Sequence, residues 1–440
     1  MKNTVVKKTL LAVITIFALA FALPAAPYAA EFKAEWQISE TGLGWTGCPL
    51  YIKNGKDDTG QIVFAALKNG VKSADPLSGK ILWDFQLDTV TTKNYSSPAA
   101  YDLNGDGFKD IVFGSMNRRL YCLDGKTGKQ LWAFMTGGGI VSSPVIYDLN
   151  GDGAQEILFS ALDARTYCLN AKGAVLWQYA TDTANFIRST PACGDLDGDG
   201  RAEALLGTLG GKLICLSGEK GELKWEKETD LKFWASPLIW DIDGDGSDEL
   251  IIAGLGAASK SRIMCLKNGG RQTMWEKELP GSVLSSPSVD AEPGAAGARL
   301  YLGTDTGIVY SIKAASGEVQ WEFKVKKHIN SSIALFDADG DNVQDPVFVS
   351  GDGCLYLLNG ATGRSMAVYK TNESMNCSPL IVPVKKGTKA IICFGNWDYN
   401  VYAVGWDQCG KISWPRFHGD GANTGNGKSI RKHLAEISAR

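Results

Sequence analysis

The sequence predicts an all-β fold: a single β-propeller, eight-bladed or alternatively seven-bladed, with four-stranded antiparallel blades. Three observations predict it. A Ser-Ser-Pro-like motif recurs every 46–50 residues, a tryptophan recurs in step with it, and an acidic nine-residue loop opens into an apolar run five times. Self-similarity at a fixed period of this length is the signature of a repeat architecture. The lack of a 3.6-residue apolar period in the sequence excludes a helical solenoid.

Each repeat begins with a predicted first strand. These strands are expected to start near residues 47, 96, 142, 189, 235, 285, 331 and 377. The unit 96–136 shows the layout, with three short apolar strands, a tight turn at 124–128 and a fourth strand that carries Trp132. Short strands separated by turns rich in Gly and Asp are typical of an antiparallel blade.

Two segments compete for the closure of the ring. The segment 35–38 contains Trp36 and has the pattern of a fourth strand without a blade of its own, whereas Trp414 ends the last repeat. Because pairing the two chain ends removes an open sheet edge, we expect an N-terminal strand to close a propeller that spans 31–414. Residues 415–440 are predicted to form an irregular lid and a basic tail.

Residues 1–30 are predicted to be a signal peptide. They combine a lysine-rich start, an apolar stretch too short to span a membrane comfortably, and small residues before an expected cut after Ala30. Tyr28 fits the cleavage site imperfectly, so an uncleaved anchor is the alternative. We expect an exported protein, periplasmic, cell-surface or secreted, with no transmembrane span once the signal is removed.

The acidic loops carry oxygen-bearing side chains at their first, third, fifth and ninth positions. In chain order these are Asp102, Asn104, Asp106 and Asp110; Asp148, Asn150, Asp152 and Glu156; Asp195, Asp197, Asp199 and Glu203; Asp241, Asp243, Asp245 and Glu249; and Asp337, Asp339, Asp341 and Asp345. Ca²⁺ takes six to eight oxygen ligands in a flexible cage, and a backbone carbonyl and water can complete this set. The sequence therefore predicts about five calcium sites, with Mg²⁺ as the second choice.

The alternative is an acidic turn without an ion. The side chains at the proposed ligand positions carry a charge of −18, whereas the whole chain carries −3. Carboxylates packed this closely repel one another unless a cation lies between them. An EF-hand needs Glu at the twelfth position, where these loops have apolar residues such as Phe113. We therefore expect metal loops that each turn a hairpin.

Two motifs carry a family resemblance. The loops and the runs after them, such as Ile111-Val-Phe-Gly114, resemble FG-GAP repeats, the calcium-bearing blades of integrin-type propellers. The segment Leu123-Asp-Gly-Lys-Thr-Gly-Lys-Gln-Leu-Trp132 resembles the tryptophan-docking motif of PQQ-like (quinoprotein-type) propellers, which are commonly eight-bladed. Members that bind the quinone carry adjacent cysteines over the cofactor and an acidic base near a central calcium. This sequence has no Cys-Cys pair, so PQQ is not expected.

The functional alternatives are a quinoprotein-like oxidoreductase, a polysaccharide lyase and a protein without enzymatic activity. The chain has three His and shows no evident catalytic constellation, so we assign no catalytic residue. The sequence favours a binding or scaffold protein for a glycan, a peptide or an envelope protein, and leaves enzymatic activity open. We expect a protein or glycan partner, no nucleic acid, and a monomer.

The residue two positions before each Ser-Pro step varies from repeat to repeat. These residues are expected to ring the mouth of the central channel, on the face opposite the metal loops. Tyr95, Arg188, Trp234 and Asn330 mix stacking surface with hydrogen-bonding groups, as a sugar or peptide site would. The alternative is that they only plug a channel of uneven width.

The ten cysteines are expected to be mostly buried apolar side chains. Cys122, Cys168, Cys215 and Cys265 share one repeat position, which places them too far apart for a disulfide. Cys48 and Cys377 lie at near-equivalent positions of the first and last blades, so a bridge between them stays open, although it is not the state we expect.

Overall fold

The computed structural model describes residues 31–39, 47–54, 60–66, 70–87, 94–182, 186–290, 297–385, 388–421 and 423–438. The predicted signal peptide, residues 1–30, lies outside them. Among the described residues, no helix is long and apolar enough to cross a membrane.

The described strands form eight antiparallel sheets, one after another along the chain, which confirms the eight-bladed prediction. Blade 1 contains β2 Leu50–Ile52, β3 Gln61–Ala66, β4 Gly70–Ala74 and β5 Ile81–Phe85. Blade 2 contains β6 Ala99–Tyr101, β7 Asp110–Ser115, β8 Arg119–Leu123 and β9 Gln130–Met135. Blade 3 contains β10 Val145–Tyr147, β11 Glu156–Ala161, β12 Arg165–Leu169 and β13 Val175–Ala180. Blade 4 contains β14 Ala192–Gly194, β15 Glu203–Gly207, β16 Lys212–Ser217 and β17 Leu223–Glu228.

The second half of the ring repeats this layout. Blade 5 contains β18 Leu238–Trp240, β19 Glu249–Leu255, β20 Lys260–Lys267 and β21 Gln272–Pro280, with a 3₁₀ turn at Ala257–Ser259. Blade 6 contains β22 Ser288–Val289, β23 Arg299–Gly303, β24 Ile308–Lys313 and β25 Val319–Lys324. Blade 7 contains β26 Ala334–Phe336, β27 Asp345–Val349, β28 Cys354–Leu358 and β29 Ser365–Lys370. Blade 8 contains β30 Leu380–Lys385, β31 Lys389–Gly395 and β32 Val401–Trp406.

The N-terminal strand closes the ring, as predicted. β1, Lys33–Ile38, pairs antiparallel with β32 and becomes the outer strand of blade 8. The strand that carries Trp414, β33 at Ile412–Trp414, pairs instead with β26 as a fifth strand on the inner side of blade 7. The two ends of the chain therefore cover different sheet edges.

Tryptophans of the outer strands dock on the following blade. Trp132 Nε1 donates a hydrogen bond to Ala171 O of blade 3 at 3.0 Å. Its ring lies against Gly173, where an added Cβ would come within 2.9 Å and where φ is +80°. Glycine satisfies both the close approach and the left-handed backbone. Trp36 of β1 reaches blade 1 in the same way, through Pro76 O at 2.9 Å, so the docking continues across the ring junction.

The Ser-Ser-Pro motifs join neighbouring inner strands. Ser97 N donates to Ser143 Oγ at 2.9 Å, and Ser143 N donates to Thr190 Oγ1 at 3.1 Å. The series continues through Ser236 and Ser286, each bond at 3.0 Å. These hydroxyls are buried, and they satisfy backbone donors that would otherwise lack partners. We call this series of hydrogen bonds the serine belt. It gives the recurring Ser-Ser-Pro-like motif a structural role.

After blade 8 the chain turns into the channel as a strap, residues 410–421 and 423–426. Backbone hydrogen bonds join the strap to inner strands: Gly410 N to Asp337 O, Ile381 N to Pro415 O, Ala100 N to Gly421 O, Cys193 N to Thr424 O, and Ile239 N to Gly425 O. The side chains of Arg416 and Asn423 reach the carbonyls of Pro49 and Pro144, each at 3.1 Å. The strap therefore contacts blades 1–5, 7 and 8, and helix α1, Gly427–Ser438, follows it.

The four cysteines that share one repeat position are buried, as the sequence predicts. Cys122, Cys168, Cys215 and Cys265 are buried thiols in β8, β12, β16 and β20. Cys48 is also a free, buried thiol, so no bridge joins it to Cys377. Its Sγ lies 3.7 Å from Pro379 O, in the neighbouring blade 8. The ring junction is therefore closed by strand pairing.

Candidate functional site

Each predicted metal loop folds around its first aspartate. In blade 2, Asp102 accepts hydrogen bonds from the backbone N–H groups of Gly105 and Gly107, at 2.8 and 2.9 Å. These glycines have φ of +77° and +86°, which explains why glycine is favoured at the fourth and sixth positions; in blade 7 the sixth residue is Asn342, with φ of +66°. Asp148 and Asp195 make the same contact with the fourth residue of their loops, at 2.7 and 2.8 Å.

The ninth position holds a buried acid in every loop. One of its oxygens accepts a hydrogen bond from the backbone N–H of the second loop residue: Asp110 from Leu103, Glu156 from Leu149, Glu203 from Leu196, Glu249 from Ile242, and Asp345 from Ala338, at 2.8–3.1 Å. Burial and then nearby carboxylates raise the pKa of Asp110 to about 6 and those of Glu249 and Asp345 to about 7. A positive partner would keep such a group charged at neutral pH.

Three of the five loops bring three carboxylates together. The clusters are Asp195, Asp197 and Asp199; Asp241, Asp243 and Glu249; and Asp337, Asp339 and Asp345. Within each cluster the ligand oxygens lie within 4.8 Å of one another. Converging carboxylate oxygens suit a hard divalent cation such as Ca²⁺, so these residues could hold a metal ion.

Blades 2 and 3 differ at the third loop position, where they have asparagine. Asn104 Nδ2 lies 3.2 Å from Asp106 Oδ2 and 3.3 Å from Asp110 Oδ1. Asn150 Nδ2 makes the equivalent contact with Asp152 Oδ2 at 3.1 Å. An amide can face a cation with its oxygen or a carboxylate with its nitrogen, so these two loops offer one carboxylate fewer.

The four residues predicted to bind a sugar or peptide each stand directly before a Ser-Ser-Pro-like motif, and all four are half-buried. The structure brings two of them together: the Arg188 guanidinium carbon lies 4.8 Å from the centre of the Trp234 ring. Among the described residues, Arg188 Nε and Asn330 Oδ1 are buried and have no hydrogen-bond partner. Tyr95 and Asn330 come from blades 2 and 7, so they belong to other parts of the rim. The structure therefore brings Arg188 and Trp234 into contact, and the ligand site itself stays a prediction.

The structure also shows a cavity that sequence reasoning missed. It has a volume of about 910 Å³ and lies between helix α1 and blades 1–4, on the metal-loop side. Its wall includes Tyr51, Tyr101 and Tyr147, each the last or second residue of an inner strand, together with His433. A signal was present, because Tyr stands directly before the first acid of the loops in blades 2 and 3. The position of α1 could not be predicted from that signal.

Two stretches, residues 67–238 and 259–426, match the family described as outer membrane protein assembly factor BamB, a family of PQQ-like repeats. No curated protein matches the chain. The FG-GAP resemblance of the loops stays a prediction.

Several solved structures share the fold. BamB from Moraxella catarrhalis is 16% identical, with 85% of this chain and 99% of that chain covered and a TM-score of 0.60. The V. cholerae biofilm matrix protein Bap1 is 16% identical, with 90% and 96% covered and a TM-score of 0.67. Quinohemoprotein alcohol dehydrogenase from Comamonas testosteroni is 12% identical, with 86% and 77% covered and a TM-score of 0.64. At these identities the likeness shows the propeller fold and nothing further.

Proposed function

This chain belongs to the family of PQQ-like propellers described as outer membrane protein assembly factor BamB, and from that premise we propose an exported, calcium-stabilised binding or scaffold protein without enzymatic activity. Its ligand would be a glycan, a peptide or an envelope protein. The family description and the biofilm matrix protein among the structural relatives support a role of this kind, outside the cytoplasm.

The observation that carries the proposal is the filling of the central channel by the chain itself. Arg416 is buried, and its guanidinium donates to Pro49 O at 3.1 Å and to Asp420 O at 3.0 Å. The Asp420 carboxylate accepts from Thr424 N at 2.9 Å, and His418 Nδ1 donates to Asn423 O at 2.9 Å. These titratable groups form hydrogen bonds that stabilise the strap. This supports a structural role for the central channel over a catalytic role.

Recognition is proposed for the opposite face, at Arg188 and Trp234. The guanidinium over the indole forms a cation–π contact that fixes both side chains. Arg188 Nε has no acceptor among the described residues, and a buried polar group without a partner is costly. A glycan hydroxyl or a peptide carbonyl can supply this acceptor, and the indole face can stack on a sugar ring.

The test is a glycan and peptide array probed with the mature protein. Both Arg188→Ala and Trp234→Ala are expected to weaken the binding of the ligand found on the array by tenfold or more. Leu176→Ala is the control, because Leu176 is exposed on the outer strand of blade 3. If neither variant changes binding to any ligand found, the proposed site is wrong.

We further propose that Ca²⁺ stabilises the ring at the acidic loops, through the twenty ligand residues predicted from the sequence. The three carboxylate clusters and the raised pKa of the ninth-position acids support this. The ions would have a structural role, because the loops join the first and second strands of their blades. No observation on this chain favours an oxidoreductase or a lyase; a dye-reduction assay with added PQQ and a lyase assay on acidic polysaccharides test both.

A further inference from the structure

The loop of blade 4 contains a cation of its own. Lys224 Nζ lies 2.5 Å from Glu203 Oε1, 2.9 Å from Asp197 Oδ2 and 3.4 Å from Asp199 Oδ2. These acids are the ninth, third and fifth residues of the loop. The ammonium group thus contacts three of the four side chains that would bind a metal ion there.

The position of Lys224 is unusual among the five loop-bearing blades. It stands directly before Trp225, which pairs with Cys215 in the register of the two outer strands. The same register identifies the equivalent residues in blades 2, 3, 5 and 7: Leu131, Leu176, Met274 and Met366. All four equivalents are apolar, so among the five loop-bearing blades only blade 4 places a charge at this point of the outer strand.

A lysine and a calcium ion cannot both occupy this loop in the observed arrangement. Ca²⁺ binds its ligand oxygens at about 2.3–2.6 Å and needs six to eight of them. An ammonium group hydrogen-bonded to three of the acids uses the same oxygens and places a like charge within a few ångströms of the ion. The Glu203 side chain is only 1% exposed, so water screens this repulsion weakly.

We propose that Lys224 is the resident cation of the blade 4 loop, and that this loop is closed without metal. This inference rests on the calcium sites proposed above for the other four loops. It assigns four calcium ions to the protein in place of the five expected from the sequence. It also makes the blade 4 corner independent of calcium, whereas the other four corners depend on it.

The experiment is a count of bound calcium per chain, made by elemental analysis after dialysis of the mature protein against excess Ca²⁺. Four ions are expected for the wild type. Lys224→Met, which installs the residue found in blades 5 and 7, is expected to bind five. Leu176→Lys is the matched inverse, because it places a lysine at the equivalent position of blade 3, and it is expected to bind three.

The outcomes separate the two proposals. Five ions on the wild type, or four on both the wild type and Lys224→Met, would overturn the role of Lys224 and leave the calcium loops standing. No bound calcium on any chain would overturn the calcium proposal itself, and the role of Lys224 with it. If Lys224→Met does not fold, Leu176→Lys decides the question: a count on that variant equal to the wild-type count would overturn the proposal that a lysine at this position excludes the ion.

Discussion

Blades 6 and 7 are neighbours with the same four-stranded layout, yet they hold the corner between first and second strands differently. In blade 7, Asp337, Asp339 and Asp345 converge on one point. In blade 6, the largely buried carboxylate of Asp290 accepts from Arg299 N at 2.7 Å, and the Arg299 guanidinium lies 3.9 Å away. The difference teaches that the Asp290 carboxylate can be balanced by a guanidinium, whereas the converging carboxylates of blade 7 suit a multivalent cation.

Calcium removal should produce the largest effect and act only on corners of the blade 7 type. A ligand that binds the folded state at about 100 times its Kd contributes about 2.7 kcal/mol per site. Four such sites amount to about 10 kcal/mol, so excess chelator is expected to lower the melting temperature by about 10 °C or more. Thermal unfolding followed by circular dichroism measures this shift, and re-addition of Ca²⁺ is the control. An unchanged melting temperature in chelator would contradict the proposal that Ca²⁺ stabilises this fold.

The blade 6 corner should respond to mutation and not to calcium. Arg299→Met leaves the Asp290 carboxylate without its guanidinium and also removes the hydrogen bond from Arg299 Nη1 to Gly360 O of blade 7. Because the pair is only partly buried, with 26% and 9% of the two side chains exposed, the expected cost is about 1–3 kcal/mol. We expect this loss in the free energy of unfolding to be the same with Ca²⁺ and with chelator, as measured by urea denaturation. Arg299→Lys is the control, since it keeps the charge and should recover part of the stability.

The blade 7 corner should show the opposite dependence. Asp345→Asn removes a charged proposed ligand and keeps one oxygen, which can accept from the N–H group of either Ala338 or Gly360 but not from both. The cost of the lost hydrogen bond is the same with and without Ca²⁺. In excess Ca²⁺ the variant is expected to lose about 3 kcal/mol, the contribution of one ion. In chelator the loss should be much smaller, because burial and the nearby acids already raise the pKa of Asp345 to about 7 and the amide resembles its protonated form. An equal loss in both conditions would contradict a metal at this corner.

The two corners also show what the sequence could and could not predict. The blade 7 loop could be predicted because its four acidic residues lie within nine consecutive positions. The closure by β1 could be predicted because Trp36 repeats a motif seen in other blades. The pair Asp290–Arg299 was missed because its members are linked only through strand register, across residues without a pattern. Lys224 was missed for the same reason, since it lies 21 residues after Glu203.

The strap could not be predicted from the sequence because its bonds are mostly to backbone groups. Residues 415–421 and 423–426 show neither period-2 nor helical patterning, and their partners are carbonyl and N–H groups of six blades. Such contacts leave little trace in side-chain type. The sequence does contain three polar residues that are buried in the strap: Arg416, His418 and Asn423. Their role as strap contacts could be recognised only after the structure placed them in the channel.

The smallest expected effect is the contribution of the strap to the pH dependence of stability. It is independent of the blade 6 and blade 7 corners. His418 is buried; its burial, together with the nearby charge of Arg416, lowers its pKa to about 4, although the hydrogen bond to Asn423 O opposes this shift. The unfolded chain therefore binds more protons than the folded chain between about pH 6.5 and pH 4, so stability falls as the pH falls through this window. His418 should account for about 2 kcal/mol of the loss between pH 7 and pH 5.

His418→Asn tests this contribution. The backbone φ at this position is +55°, which asparagine tolerates better than most residues, and an amide does not titrate in this range. In excess Ca²⁺, the variant should lose about 2 kcal/mol less than the wild type when the pH falls from 7 to 5. Urea denaturation at the two pH values measures the difference in stability loss between the variant and the wild type. The loss that remains in the variant comes from groups other than His418. If the two chains lose stability in parallel, the acid response does not come from His418 of the strap.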